Sequence, residues 1–140
     1  MYPSVHILTS LILALVLYPY FGLYSIVIFL AGFLIDIDHY FEYVARTGNL
    51  SPFKAYKEGI EFAKKCYKLR KLLRKDILHI FHVVEFYALI AILAIYSKFF
   101  LSIFIAITFH IILDIVALTY RNAIKARAHS LIGWLIRHTK

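Results

Sequence analysis

His6, Asp36, Asp38, His39, His79, His82, Glu85, His110 and Asp114 all fall inside or at the ends of the most apolar stretches of the chain. An ionisable group at the depth of the hydrocarbon costs roughly 2.5 to 3.5 kcal/mol on insertion scales, so a set of this size reads first as a functional site. Neutral imidazole beside carboxylate suits zinc or another divalent transition metal, manganese included, whereas an all-oxygen set would point to magnesium or calcium. More than four candidate donors suggests two or more ions. A pair of ions about 3.5 to 4 Å apart activates water and stabilises the leaving oxygen when phosphoesters and similar bonds are hydrolysed.

Spacing aims these groups in common directions. His110 and Asp114 are four residues apart, His79 and His82 three apart with Glu85 a further step along the same stripe, and Asp36 and His39 three apart, so each pair shares a helix face. Glu85 and Asp36 are the candidate general bases, with Glu85 also open to a ligand or orienting role. Some of the set has plainer readings. His6 alone would pass for an interfacial residue, Asp38 and Glu42 fit a solvated helix end, and His129 and His138 sit in a basic tail and read as solvated.

The elements that must carry these residues are helices in a bilayer. Of the 140 residues, 62% are hydrophobic and 17% aromatic, and the mean hydropathy is +0.76, which is beyond a soluble domain of this length. Apolar segments at about 5–18, 23–45, 77–97 and 99–120 predict an all-α integral membrane protein. Its four transmembrane helices form two hairpins, punctuated at Tyr18 to Gly22 and at Ser97-Lys98, within one membrane domain covering 1–140. Met1 to Val5 carries no Lys or Arg and no cleavage site follows the first segment, so that segment is expected to be retained. The single Cys66 forms no internal disulfide and fits a reducing compartment.

Charge supplies the orientation. Ten of the sixteen Lys and Arg residues lie between Arg46 and Lys75 and five more from Arg121 onward, leaving Lys98 at the other end. The 46–76 loop, the 121–140 tail and both termini are therefore expected on the cytoplasmic face of a multi-pass cell-membrane protein. Within the loop, Ser51-Pro52 starts a basic amphipathic helix with Phe53, Tyr56, Ile60, Ala63 and Tyr67 on one face. Such a helix fits a membrane surface and anionic lipid headgroups as partners; no nucleic-acid module is recognisable. Counted from the external turns at 1.5 Å per residue, the polar groups of all four helices fall roughly 18 to 28 Å from the outer face, in one layer near the cytoplasmic side.

The run Gly32-Phe33-Leu34-Ile35-Asp36-Ile37-Asp38-His39, the early His6, the His-rich start of the third segment, and His110-Ile111-Ile112-Leu113-Asp114 followed by Thr119 resemble the membrane-bound metal-dependent hydrolases of the YdjM type. That family is itself considered similar to zinc-dependent phospholipases C. The resemblance implies metal-ligand roles for His6, Asp36, Asp38, His39, His79, His82, His110 and Asp114. The expected activity is hydrolysis of a phosphoester or similar bond by a metal-activated water, with a lipid or other amphiphilic substrate because the site lies near headgroup depth beside the basic helix. Where the family commonly has a His-Arg-Gly stretch leading to a His-Ser pair, this chain has His79 to Glu85 without arginine or serine.

Two other classes share the pattern. A metal or proton transporter would also place His and Asp in the membrane, but it predicts polar groups on both sides of the midplane, and the outer halves here are apolar. A non-catalytic scaffold stabilised by a structural metal would fill every coordination position with protein.

Overall fold

A computed structural model describes residues 3–69 and 76–139. The chain is all-helical, and among the described residues the β pairing is a single parallel bridge, Ile77 to Arg127. In order come α1 (Pro3–Phe21), α2 (Tyr24–Leu34), α3 (Ile37–Thr47), α4 (Pro52–Leu69), α5 (Val84–Ala94), α6 (Lys98–Tyr120) and α7 (Leu131–His138), with 3-10 turns at Ile80–His82 and Ile124–Ala126. Three stretches, Pro3–Phe21, Tyr24–Thr47 and Lys98–Tyr120, are long and apolar enough to cross a membrane.

The helices pack through small residues. α2 lies against both α1 and α6, and α6 also lies against α5. Ala14, Ile28 and Ala106 form one buried cluster, and Ile35, Ile90 and Ile107 a second. Gly32 faces Ser10 so closely that a Cβ there would overlap the serine side chain. Small side chains at helix contacts let backbones approach where lipid offers no hydrophobic drive for association. Leu8, Leu15, Val16, Ile26, Ile112 and Val116 stay exposed on the outer faces, as a lipid-facing surface requires. At one end, Lys98 Nζ donates to the Tyr20 carbonyl at 3.1 Å, so the turns that follow α1 and α5 lie together.

Two predicted helices differ from the observed ones. The 23–45 segment breaks between α2 and α3: the Asp36 amide bonds to Phe33 O at 3.3 Å, while Gly32 O, its α-helical acceptor, takes His110 Nδ1 at 2.7 Å. The 77–97 segment is helical only over Val84–Ala94. At roughly 16 Å, eleven residues fall short of a bilayer core. The preceding residues pair instead with the C-terminal segment: Asp76 N to Lys125 O, Ile77 N to Ala126 O, Ala128 N to Ile77 O and Val84 N to His129 O, at 2.9 to 3.2 Å. His79, His82 and Glu85 therefore do not share a helical stripe.

The basic helix expected after Ser51 is α4. Arg46 pairs with both Glu42 and Glu58, tying α3 to α4, and the Arg121 guanidinium lies 4.9 Å from the Tyr67 ring centroid, tying α4 to the end of α6. The tail is structured. Ser130 caps α7, accepting from Gly133 N at 3.0 Å, and Arg137 forks onto Asp76 at 2.7 and 2.8 Å, which raises the guanidinium pKa above its ordinary value.

Candidate metal centre

The break between α2 and α3 and the non-helical start of the third segment are what bring the donors together. Asp36 occupies the N-cap position of α3, His82 ends the Ile80–His82 turn, and His110 and Asp114 stand one turn apart on α6. One donor atom from each lies within 4.8 Å of all the others. His82 Nε2 is 3.3 Å from His110 Nε2, 3.6 Å from Asp36 Oδ1 and 3.8 Å from Asp114 Oδ2; His110 Nε2 is 3.4 Å from Asp36 Oδ1 and 3.7 Å from Asp114 Oδ2. Donors about 2.0 to 2.1 Å from one tetrahedral ion sit about 3.3 to 3.4 Å apart, close to this spacing.

The tautomers are set from outside the cage. His110 Nδ1 lies 2.7 Å from Gly32 O, an acceptor only, so that nitrogen carries the proton and Nε2 is left with a free lone pair. His82 Nδ1 meets Asp38 Oδ2 at 2.9 Å, and the same oxygen accepts the Phe81 amide at 3.1 Å. A carboxylate or carbonyl behind each imidazole is the usual support of a metal-bound histidine.

His6 completes one wall. It is buried, stacks on His110 with centroids 4.0 Å apart, and brings Nε2 to 3.3 Å from Asp114 Oδ1 and 3.8 Å from Asp36 Oδ2. A second group, Asp38, His39 and His79, adjoins the first: the His39 and His79 rings are 4.0 Å apart, and His39 Nε2 is 3.2 Å from Asp36 Oδ1. Among the described residues, both ring nitrogens of His6, Nδ1 of His79 and Oδ1 of Asp38 are buried without a hydrogen-bond partner. Buried polar atoms are ordinarily satisfied, and a cation would satisfy the lone pairs among these, one nitrogen of each imidazole and the Asp38 oxygen. These buried His and Asp groups could hold a metal ion.

Glu85 lies in neither donor group. It accepts from Ser130 Oγ at 2.6 Å, Leu131 N at 2.9 Å and Ile132 N at 3.2 Å, so its carboxylate covers the otherwise unpaired amides at the start of α7. Two residues of the tail do reach the site. Arg127 Nη2 meets Asp114 Oδ2 at 2.7 Å with its side chain 11% exposed, and His129, though exposed, lines the cavities beside His82. Residue spacing could not reveal either, because both arrive by the pairing of 125–129 with 76–84. His138 lies outside the site, stacked on Trp134.

No family model, curated protein or solved structure matches the chain.

Proposed function

We propose that the protein is a membrane-embedded metal-dependent hydrolase that cleaves a phosphoester or similar bond in a lipid or other amphiphilic substrate. The observation that carries this reading is the one-sided opening of the donor cage. His82, His110 and Asp114 are buried at the helix junction, while the Asp36 side chain is 20% exposed and a cavity reaches His82 and Asp114. A purely structural ion is closed off on every side, and a catalytic one keeps a position open. The His-rich donor set favours zinc, with manganese the next candidate, and the two adjoining groups give room for two ions.

An ion held there would polarise a water and offset charge on the leaving oxygen. The protein residues do the rest. Gly32 O and Asp38 hold the His110 and His82 rings so that both Nε2 atoms point into the cage. Asp36, the one partly accessible carboxylate of the cage, is the candidate base, with Oδ2 taking the proton as the water oxygen bonds to phosphorus. The ester P–O bond then breaks, and that proton passes to the departing alkoxide. This chemistry is in line with the resemblance to YdjM-type hydrolases and phospholipases C, and lipid is the natural substrate because the site lies near headgroup depth beside the basic helix.

The proposed topology has four crossings with both termini and the basic loop in the cytoplasm. The fourth is composite: α5 is preceded by residues 76–83, in which Asp76 and Ile77 bond to the tail, Phe81 N to Asp38 and His82 N to His79 O, so these backbone groups are met within the protein. α4 lies on the membrane surface, where its lysines attract anionic headgroups.

The test is metal content by mass spectrometry on detergent-purified protein beside His82→Ala and Asp114→Ala, together with a phosphoester turnover screen. Stoichiometric metal in wild type, lost with turnover in both variants, is expected. Wild type purified without chelators and free of metal, or turnover retained in either variant, would refute the reading.

A further inference from the structure

Beside the donor cage, α6 carries a trough that the proposed chemistry does not by itself explain. Two cavities of about 350 and about 200 Å3 share His82, Ile111 and His129 as walls. The smaller runs along Ile115, Leu118 and Ile124 and ends at Asp114 and Arg127. Its apolar lining is thus branched aliphatic, Ile111, Ile115 and Leu118 from α6 and Ile124 from the turn that follows it, with Ile115 52% exposed. Its polar end is a nearly buried guanidinium.

Arg127 has donor capacity left over. A guanidinium offers five N–H groups in a planar fork, and among the described residues its one hydrogen-bond partner is Asp114, reached through Nη2. Among the described residues the N–H groups on Nε and Nη1 have no protein acceptor, so they remain available to a ligand. Planar, bidentate donation to a phosphate is what this group does best. A ligand that meets both ends of the trough must join an anion to hydrocarbon. Free phosphate would leave the isoleucine wall uncovered, and a neutral lipid would leave the guanidinium unmet.

We infer that the trough seats a lipid with a phosphate directly beside its apolar portion, the chain over Ile111, Ile115 and Leu118 and the phosphate on Arg127. Arg127 then bridges the cage and the ligand, Nη2 on Asp114 and the other N–H groups on phosphate oxygens. His129, exposed, lines both cavities. The inference rests on the hydrolase reading for its substrate, since it places the phosphate next to Asp114, but the binding itself requires no turnover.

The experiment is titration calorimetry on the zinc-supplemented full-length chain in neutral detergent. Three probes are used: a short-chain diacyl phosphonate, whose C–P bond resists hydrolysis; the matching diacylglycerol; and glycerol 3-phosphate. The phosphonate should bind to wild type and bind about tenfold or more weakly to Arg127→Gln, the loss of a charge-assisted fork. It should also bind weakly to Ile115→Trp, which fills the trough from an exposed position and keeps wild-type metal content. Arg127→Lys, which retains a cation for Asp114 without the fork, should keep its metal and still lose phosphonate affinity. Unchanged affinity in Arg127→Gln and Ile115→Trp would overturn the inference. So would glycerol 3-phosphate or diacylglycerol binding as tightly as the phosphonate, the first marking a free-phosphate site and the second a neutral-lipid site. Metal-free wild type that still binds the phosphonate through Arg127 would sink the hydrolase reading and leave the trough standing. A metal-bearing protein indifferent to the phosphonate would do the reverse.

Discussion

Asp38→Asn tests how the cage is held, because Asp38 stands outside the first donor group and touches the outer ring nitrogen of its member His82. Its Oδ2 accepts from both His82 Nδ1 at 2.9 Å and Phe81 N at 3.1 Å, and the residue is 3% exposed. Asparagine keeps one acceptor of the same shape but removes the charge and turns the other atom into a donor. The amide oxygen can still take both N–H groups, but without the charge it holds His82 Nδ1–H more weakly, and the NH2 then falls where the buried Oδ1 has no acceptor near it, which frees the His82 ring to rotate and Nε2 to leave its 3.3 Å approach to His110 Nε2. Loss of a carboxylate behind a metal-bound imidazole typically costs about 10 to 100-fold in affinity, equivalent to roughly 1.4 to 2.7 kcal/mol. Asp38→Ala, which loses both acceptors, should fall at or beyond the weaker end of that range. The assay is competition for zinc against a chromophoric chelator of known affinity, with bound metal counted separately. Wild-type affinity in Asp38→Asn would refute the orienting role. A loss of one whole equivalent of metal with the remainder bound normally would show Asp38 to be a direct ligand of the second group instead.

Three further outcomes are expected. Glu85→Gln should lower the melting temperature by weakening the start of α7 while keeping metal and turnover; a general base contributes about 10² to 10⁴-fold, and a loss of that size would return Glu85 to the chemistry. Gly32→Ala places a methyl on the Ser10 side chain and should cost about 1 to 3 kcal/mol in detergent unfolding, relieved in the double variant with Ser10→Gly; additive effects would show that the two helices do not meet there. Zinc at about 100 times its dissociation constant should stabilise the chelator-treated protein by about 2.7 kcal/mol, followed by thermal melting, and His82→Ala should abolish the shift. A wild type whose melting temperature ignores zinc would argue against the cage.

The sequence by itself determined the helical class, three of the four apolar stretches it marked as membrane spans, and the His and Asp residues that the fold gathers into two groups. Apolar length and composition fix the first two without reference to any partner, and an ionisable residue inside an apolar run is conspicuous wherever the run folds. His110 and Asp114 were legible as a pair because they lie on one regular helix, where spacing alone sets direction. The same periodicity failed for His79, His82 and Glu85. A period of 3.6 presumes that each backbone amide bonds within its own segment, and here Ile77, Ala128 and Val84 bond across to or from the tail.

What only the tertiary structure decided follows from contacts between residues far apart in the chain. The break at Asp36 exists because His110, 78 residues away, takes the Gly32 carbonyl that the helix would otherwise use. Glu85 is drawn to α7 by amides some 46 residues distant. Arg127, counted in the sequence only as one more positive charge in a tail, reaches Asp114 because the tail pairs with the start of the third segment. Local pattern specifies which groups a protein has available, but where a group points depends on which distant backbone atom satisfies its hydrogen bond, and no window of sequence contains both partners.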